Sequence, residues 1–283
     1  MITAEQQQQY QRDGYFIVRN LVESSAIAEI KATILDFIDN PGELEQVLDP
    51  ELVVQQGEGE HLSHRAKFRK LQRLGRYRPT VWNNYYAHPN VLSVIRSLLG
   101  DDLLVKYDSV FLKPAKTGGA TPWHQDIALW RDDHVEAANA WMAVDPASTE
   151  NGCMQFLPAS HHGGLIDHVL YEGGLHGELP RNLVANLEGV VDIALEPGDV
   201  VFWHSYMWHY SPPNTSDQGR IGMGAVWASW EQTQTSKRVK EYFWVMKDGE
   251  PLPHPPEKLV VDDGKDDPPS SFSKCESILS LTA

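Results

Sequence analysis

The chain has almost no cysteine. Its 283 residues hold two, Cys153 and Cys275, too few for a disulfide framework and in no metal-ligand spacing, which excludes a zinc–thiolate site and makes a reducing, cytoplasmic setting the expectation. Long apolar runs are absent as well. No window approaches the roughly 18 uncharged apolar residues of a membrane span. The Gln-rich opening, residues 1–12, carries no apolar stretch behind basic residues as a secretory signal would. The closing Leu281-Thr282-Ala283 is not a peroxisomal address. Positive charge is scarce: 24 Lys and Arg stand against 39 Asp and Glu, a net charge of −15. Such a field repels phosphate backbones and anionic lipid, so no nucleic-acid or membrane partner is expected and a small-molecule substrate is. No repeat of about 20 to 50 residues is visible.

What is present suffices for a core, with 41% hydrophobic residues. Thr3 and Gln6 form a capping-box pattern for a helix that ends at Asp13-Gly14, before an apolar strand at 15–18. Ile27, Ile30, Ile34 and Phe37 recur at helical spacing over about 25–39, and Val91, Val94, Ile95 and Leu98 do so over about 90–99, closed by Gly100. Between them, 41–64 is polar and aperiodic and reads as a long loop or lid. From 103 the pattern changes to short β runs at 103–107, 109–112, 138–144, 153–157, 191–195, 200–203 and 221–230, punctuated by turns such as Glu196-Pro197-Gly198-Asp199. Helices first and strands later predict a mainly β, α+β chain with an antiparallel β core. The boundaries expected are one domain over 1–232, helical to about 100 and β from 103 to 230, then an extended or partly disordered extension over 233–283.

Twelve histidines and 39 acids predict about 1.7 chance matches to His-x-acid. Three occur: His124-Gln125-Asp126, His134-Val135-Glu136 and His176-Gly177-Glu178. The second lies among charges and the third among glycines, where solvated loops are the better reading. In the first, residues i and i+2 of a strand share a face and can reach one metal. A second histidine would complete the two-His, one-carboxylate set that holds non-haem iron and leaves positions open for a cosubstrate and oxygen. His204 and His209 both follow the Gly198-Asp199 turn and compete for that place. If the ligand ends one strand and Arg220 opens the antiparallel return, the guanidinium can clamp a carboxylate with two hydrogen bonds.

Trp123-His124-Gln125-Asp126, Asn151-Gly152-Cys153 with Pro158-Ala159-Ser160-His161, and His209-x-Ser211-x-x-Asn214 running to Arg220 together resemble the phytanoyl-CoA dioxygenase family, across about residues 8–230. The resemblance implies a double-stranded β-helix, a jelly-roll cupin-like barrel with N-terminal helices packed on one sheet. It implies His124, Asp126 and His209 as Fe(II) ligands, and Arg220 with Ser211 on the distal carboxylate of 2-oxoglutarate. Looser positional similarity adds Trp141 and Lys70 to the cosubstrate pocket. The family's Gly-Ser-His reads Ala159-Ser160-His161 here, a departure in a turn and not in the metal set.

The activity so implied consumes O2 and 2-oxoglutarate, releases succinate and CO2, and oxidises an unactivated C–H bond of a small organic molecule, hydroxylation being the default. A natural-product intermediate or an amino-acid derivative is the favoured substrate class. Asp126 argues against halogenation, since halogenating relatives have Gly or Ala there. Of the nine tryptophans most should pack the core, with Trp130, Trp82 and Tyr86 taken as substrate contacts. Two rival readings stand: a cupin-type metal isomerase or lyase, which has no use for the Arg220 and Ser211 clamp, and a catalytically silent jelly-roll binding protein, which has no need of the intact ligand set.

Overall fold

A computed structural model describes residues 2–55, 57–130, 137–174, 176–233, 242–252, 254 and 256. The strands in chain order are β1 (Tyr15–Val18), β2 (Leu48–Pro50), β3 (Phe68–Gln72), β4 (Leu103–Lys113), β5 (Thr121–His124), β6 (Ala138–Ala143), β7 (Met154–Phe156), β8 (Val191–Ile193), β9 (Val200–His204), β10 (His209–Ser211), β11 (Arg220–Ser229), β12 (Phe243–Lys247) and β13 (Glu250–Pro251). They form two antiparallel sheets. The large one runs β1-β9-β6-β11-β4-β12-β13, with β3 on β4 and β2 on β3; the small one runs β5-β10-β7-β8. Two sheets face each other as a jelly roll, the architecture expected from the sequence.

The large sheet is buried on both sides, and alternation along its strands assigns each residue a side. Ala138, Ala140 and Met142 of β6, with Val200 and Phe202 of β9, join the helix-side core. Trp141 and Ala143, with Val201 and Trp203, meet Cys153, Met154, Phe156 and Ile193 of the small-sheet side in the barrel interior. Helices Ser24–Asp39 and Pro89–Leu99 cover the outer face with the apolar stripes read from the sequence, Ile27, Ile30, Ile34 and Phe37 in the first and Val91, Val94 and Ile95 in the second. At about 25 cal/mol per Å² of apolar surface buried, this layer is the main source of stability. The capping box at Thr3 and Gln6 forms as expected, with both reciprocal hydrogen bonds.

β4 is one strand where the sequence shows two runs. A bulge opposite Val226 and Trp227 inserts Lys106 between Val105 and Tyr107, so Leu103 and Val105 face the helices before it and Val110 and Leu112 after it. That change of phase splits the hydrophobic pattern in two without ending the strand.

Two segments differ from expectation. Residues 41–64 are not a bare loop: a 3₁₀ helix over Gly42–Val47, strand β2 and a short helix over Leu52–Gln55 tie them to β3. Their polar, aperiodic sequence hid them because each piece is only one or two helical turns or a three-residue strand. Nor does the sheet stop at 232. β12 pairs with β4 and turns into β13, with Trp244, Val245 and Met246 buried. The rest of the predicted extension, with Cys275, lies outside the described residues.

Candidate metal centre and cosubstrate pocket

Antiparallel pairing of β5 with β10 sets His124 opposite His209, with ring centroids 4.0 Å apart. Asp126 follows after one extended residue, Gln125, and opens the short helix Asp126–Leu129. The strand therefore ends at His124, and the i, i+2 relation survives because Gln125 keeps β dihedrals. Asp126 Oδ1 lies 3.6 Å from His124 Nε2 and Oδ2 lies 3.7 Å from His209 Nε2. One ligand atom from each of the three lies within 4.8 Å of the others.

The surroundings fix which atoms face inward. His124 Nδ1 donates to the Pro122 carbonyl at 2.8 Å and His209 Nδ1 to that of Met207 at 3.1 Å, which leaves both Nε2 atoms as acceptors. Asp126 Oδ2 accepts from Asn139 Nδ2 at 2.9 Å and from Trp203 Nε1 at 3.0 Å. Burial opposes ionisation of Asp126, but His209, His124 and the Trp203 indole hold its pKa down to about 2. Burial and the neighbouring His124 push His209 down to about 4 against the pull of Asp126. At neutral pH the cluster thus presents a carboxylate beside a neutral His209 imidazole, and its two nitrogens and one oxygen on one side fit Fe(II).

Gln125, between the ligands, is fully buried. Its amide donates to Gly164 and Tyr206 carbonyls and accepts from the Ile166 N–H, while its own N–H donates to His168 Nε2. It staples two loops to the centre. The loop that carries Gly164, Ile166 and His168 brings in His176, whose ring lies 4.8 Å from that of His124. A bridge between Val169 and Glu178 folds this segment over the site, so the glycine-rich stretch read as a solvated loop is a wall of the pocket. His204 ends β9 one residue past Trp203 and so faces the opposite side of the sheet, with its ring 5.3 Å from that of His161. His134 and Glu136 lie outside the described residues.

The large sheet supplies the second half of the pocket. Arg220, 4% exposed, donates from Nη2 to the Gly152 carbonyl at 2.5 Å and to Ser211 Oγ at 3.1 Å, and from Nε to the Asn151 carbonyl at 3.2 Å. No carboxylate pairs with it among the described residues, and burial lowers its pKa to about 10. A buried cation without an anion is costly, so the pocket suits one arriving as ligand. The Trp141 ring lies 5.1 Å from the guanidinium. It occupies the space left by Gly222 on β11, where a Cβ would overlap the ring. Lys70 on β3 hydrogen-bonds Tyr107 Oη and lies 5.4 Å from the Phe111 ring centroid; burial, then Arg69, lower its pKa to about 8.

Trp130 ends the helix that starts at Asp126 and stacks against Lys106, 4.2 Å from its ring. Trp82 and Tyr86 correct the sequence reading. They lie in a π-type turn over Trp82–Tyr86, have no exposed surface, and pack in the helix-side core on the other face of the sheet from the ligands. Aromatic type gave no sign of which face each ring would take. Sequence reasoning passed over Lys113 and Asn139, which no motif marked, and set His176 aside as part of a glycine-rich loop.

A jelly roll with two histidines and a carboxylate at its mouth, backed by a buried arginine, is the architecture of the non-haem iron oxygenases. Over residues 10–222 the chain matches the phytanoyl-CoA dioxygenase family model. It belongs to that family, and so to the non-haem dioxygenases that depend on Fe(II) and 2-oxoglutarate. It is similar to a probable phytanoyl-CoA dioxygenase of Caenorhabditis elegans, 24% identical over 81% of this chain and 76% of the relative. An L-proline trans-4-hydroxylase of Streptomyces griseoviridis is 26% identical over 58% of this chain and 68% of its own. Among solved structures, EctD from S. alaskensis with 2-oxoglutarate and 5-hydroxyectoine superposes with a TM-score of 0.66 at 18% identity, over 90% and 86% of the two chains. No helix among the described residues is long and apolar enough to cross a membrane.

Proposed function

We propose that this chain hydroxylates an unactivated C–H bond of a small organic molecule, with His124, Asp126 and His209 holding Fe(II) and Arg220 and Ser211 holding the distal carboxylate of 2-oxoglutarate. The observation that carries the assignment is the set of committed outer atoms: both histidine Nδ1 atoms and Asp126 Oδ2 are engaged by protein groups, leaving two Nε2 atoms and Oδ1 for one cation. When bound, iron, 2-oxoglutarate and O2 supply the oxidising power, with succinate and CO2 leaving.

The protein's part is position and exclusion. Asn139 and Trp203 hold the carboxylate plane, and Pro122 and Met207 carbonyls hold the imidazole rings. Trp141 shields the Arg220 guanidinium, which strengthens its grip on an anion in a dry setting. Gln125 ties down the loop that carries His176 over the centre, Lys70, hydrogen-bonded to Tyr107, lines the cosubstrate pocket, and Trp130 faces substrate. A single catalytic domain that includes β12 and β13 accounts for these elements. The buried free thiol Cys153 fits a reducing, cytoplasmic compartment.

For the substrate, relatives named for L-proline and 1-deoxypentalenic acid hydroxylation support an amino-acid derivative or natural-product intermediate. The acidic balance disfavours a polyanionic thioester. The test is anaerobic titration of the Fe(II)-loaded protein with 2-oxoglutarate, following the weak visible band at roughly 500 nm that such a chelate gives. A band kept in His204→Ala and lost in His209→Ala is the expected result. Iron binding with no band in the unaltered protein would favour a cupin-type isomerase or lyase.

A further inference from the structure

Ser211 Oγ is saturated. It accepts from Lys113 Nζ at 2.7 Å and from Arg220 Nη2 at 3.1 Å, and donates to the Gly152 carbonyl at 2.9 Å. A hydroxyl has two lone pairs and one proton, so every capacity is used. The Lys113 ammonium and the Arg220 guanidinium are donors only, and together they occupy both lone pairs. The proton of Ser211 must then point away from both cations.

Lys113 is built into this position. It ends β4 directly opposite Arg220 in the β4–β11 register and is 7% exposed. Its Nζ also donates to the Ser211 carbonyl at 3.3 Å and to that of Pro212, three acceptors for an ammonium's three protons. Glycine makes room for the stem on two sides: a Cβ at 152 would lie 3.0 Å from Lys113 Cδ, and one at 118 would overlap Cγ. Gly152 also has φ of 78°, a conformation that favours glycine.

We propose that Lys113 is a positioning residue of the cosubstrate pocket, which fixes Ser211 as a hydrogen-bond donor to the distal carboxylate of 2-oxoglutarate. The inference rests on the reading of Arg220 and Ser211 given above. When the anion enters, the Ser211 proton turns from the Gly152 carbonyl to the carboxylate. That carbonyl keeps the Arg220 Nη2 donor, so the exchange strands no buried group. Without Lys113 a lone pair of Ser211 is free, and the hydroxyl can face the carboxylate with an oxygen, which repels it.

The experiment measures 2-oxoglutarate dissociation by the anaerobic visible titration, in the Fe(II)-loaded enzyme and in Lys113→Met, Ser211→Ala, the double variant and Arg220→Ala, each with a thermal melt. Lys113→Met should weaken binding at least tenfold, and the double variant should bind no worse than Ser211→Ala, because Lys113 acts through that hydroxyl. Steady-state kinetics should show KM for 2-oxoglutarate raised with kcat nearly kept. Unchanged dissociation in Lys113→Met alongside weakened binding in Arg220→Ala overturns the role of Lys113. Additive losses in the double variant overturn it too, since they mean a direct electrostatic effect. Unchanged dissociation in Arg220→Ala overturns the pocket assignment itself. Should Lys113→Met fail to fold, Lys113→Gln, which retains an N–H donor, takes its place and should weaken binding less than Ser211→Ala does; an equal or greater loss counts against the proposal.

Discussion

The two faces of the large sheet are made by the same strands and serve opposite ends. On the outer face, β6, β9 and β11 present Ala138, Ala140, Met142, Val200, Phe202, Met223 and Trp227 to the helices. On the inner face, one residue along, the same strands present Trp141, Trp203, Gly222 and Arg220 to the metal centre. The outer layer tolerates idle polar tips: Trp82 Nε1, Tyr85 Oη, Tyr86 Oη and Trp227 Nε1 are buried with no hydrogen-bond partner among the described residues. Inside, both histidine Nδ1 atoms and the Asp126 carboxylate are held by named partners, and of their supporting groups Asn139 leaves only its Oδ1 without one among the described residues. The difference teaches that the outer face is selected for volume and the inner face for direction.

The sharpest way to break the comparison is at the ligands. Asp126→Ala should abolish Fe(II) binding and turnover while leaving the circular-dichroism melt near that of the parent, since Asp126 lies outside the helix-side core. Retained turnover would sink the triad. The reverse experiment is Ile34→Ala on the outer layer, where a fully buried side chain is cut back. It should lose about 2–5 kcal/mol of stability in urea and keep the 2-oxoglutarate dissociation constant.

Gly222→Ala tests the inner face by volume. A methyl there meets the Trp141 ring, and overpacking of this kind costs about 1–3 kcal/mol. Because Trp141 covers Arg220, the variant should also weaken 2-oxoglutarate, a double signature that an outer-face variant lacks. A change in stability alone would detach Trp141 from the pocket.

A smaller effect is expected from pH. Burial and Arg220 push Lys113 down to about 7, with Glu51 and Cys153 the other groups acting on it. A bound dianion favours the ammonium and raises that pKa. Binding above pH 7 therefore takes up a proton, and affinity should fall with rising pH by up to about tenfold per unit. In Lys113→Met this component of the slope should vanish; an identical slope would place the titration elsewhere. The smallest effect belongs to Tyr85→Phe, which removes a partnerless buried hydroxyl while keeping the ring. Its melt should be unchanged or raised by less than about 1–3 kcal/mol, and a marked loss would reveal a partner for that hydroxyl.

Much of this contrast was legible beforehand where it is local. Helix stripes at Ile27, Ile30, Ile34 and Phe37, the Thr3 capping box and the turn at Gly198-Asp199 are written in neighbouring residues. The three motifs at Trp123 to Asp126, Asn151 to His161 and His209 to Arg220, taken together and in that order, carried the resemblance to the family. The bulge at Lys106 split one strand into two in the reading, because alternation is the signal for a strand and a bulge inverts it. Residues 41–64 and 242–252 were misread as loop and arm, since strands of three to five residues gain their stability from the sheet they join and not from their own composition.

By itself, then, the sequence determined the fold class, the ligand types and their spacing, all of which follow from short-range periodicity and motif order. The family resemblance already preferred His209 to His204, and tertiary structure set it across from His124; tertiary structure alone decided that Trp82 and Tyr86 turn into the core and that Lys113 meets Ser211. The pairings of His209 and of Lys113 depend on register between strands far apart in the chain, where a shift of one residue exchanges the two faces of a strand, and the burial of Trp82 and Tyr86 depends on how their helical turn packs on the sheet. Nothing in the local sequence records which residue stands across the ladder.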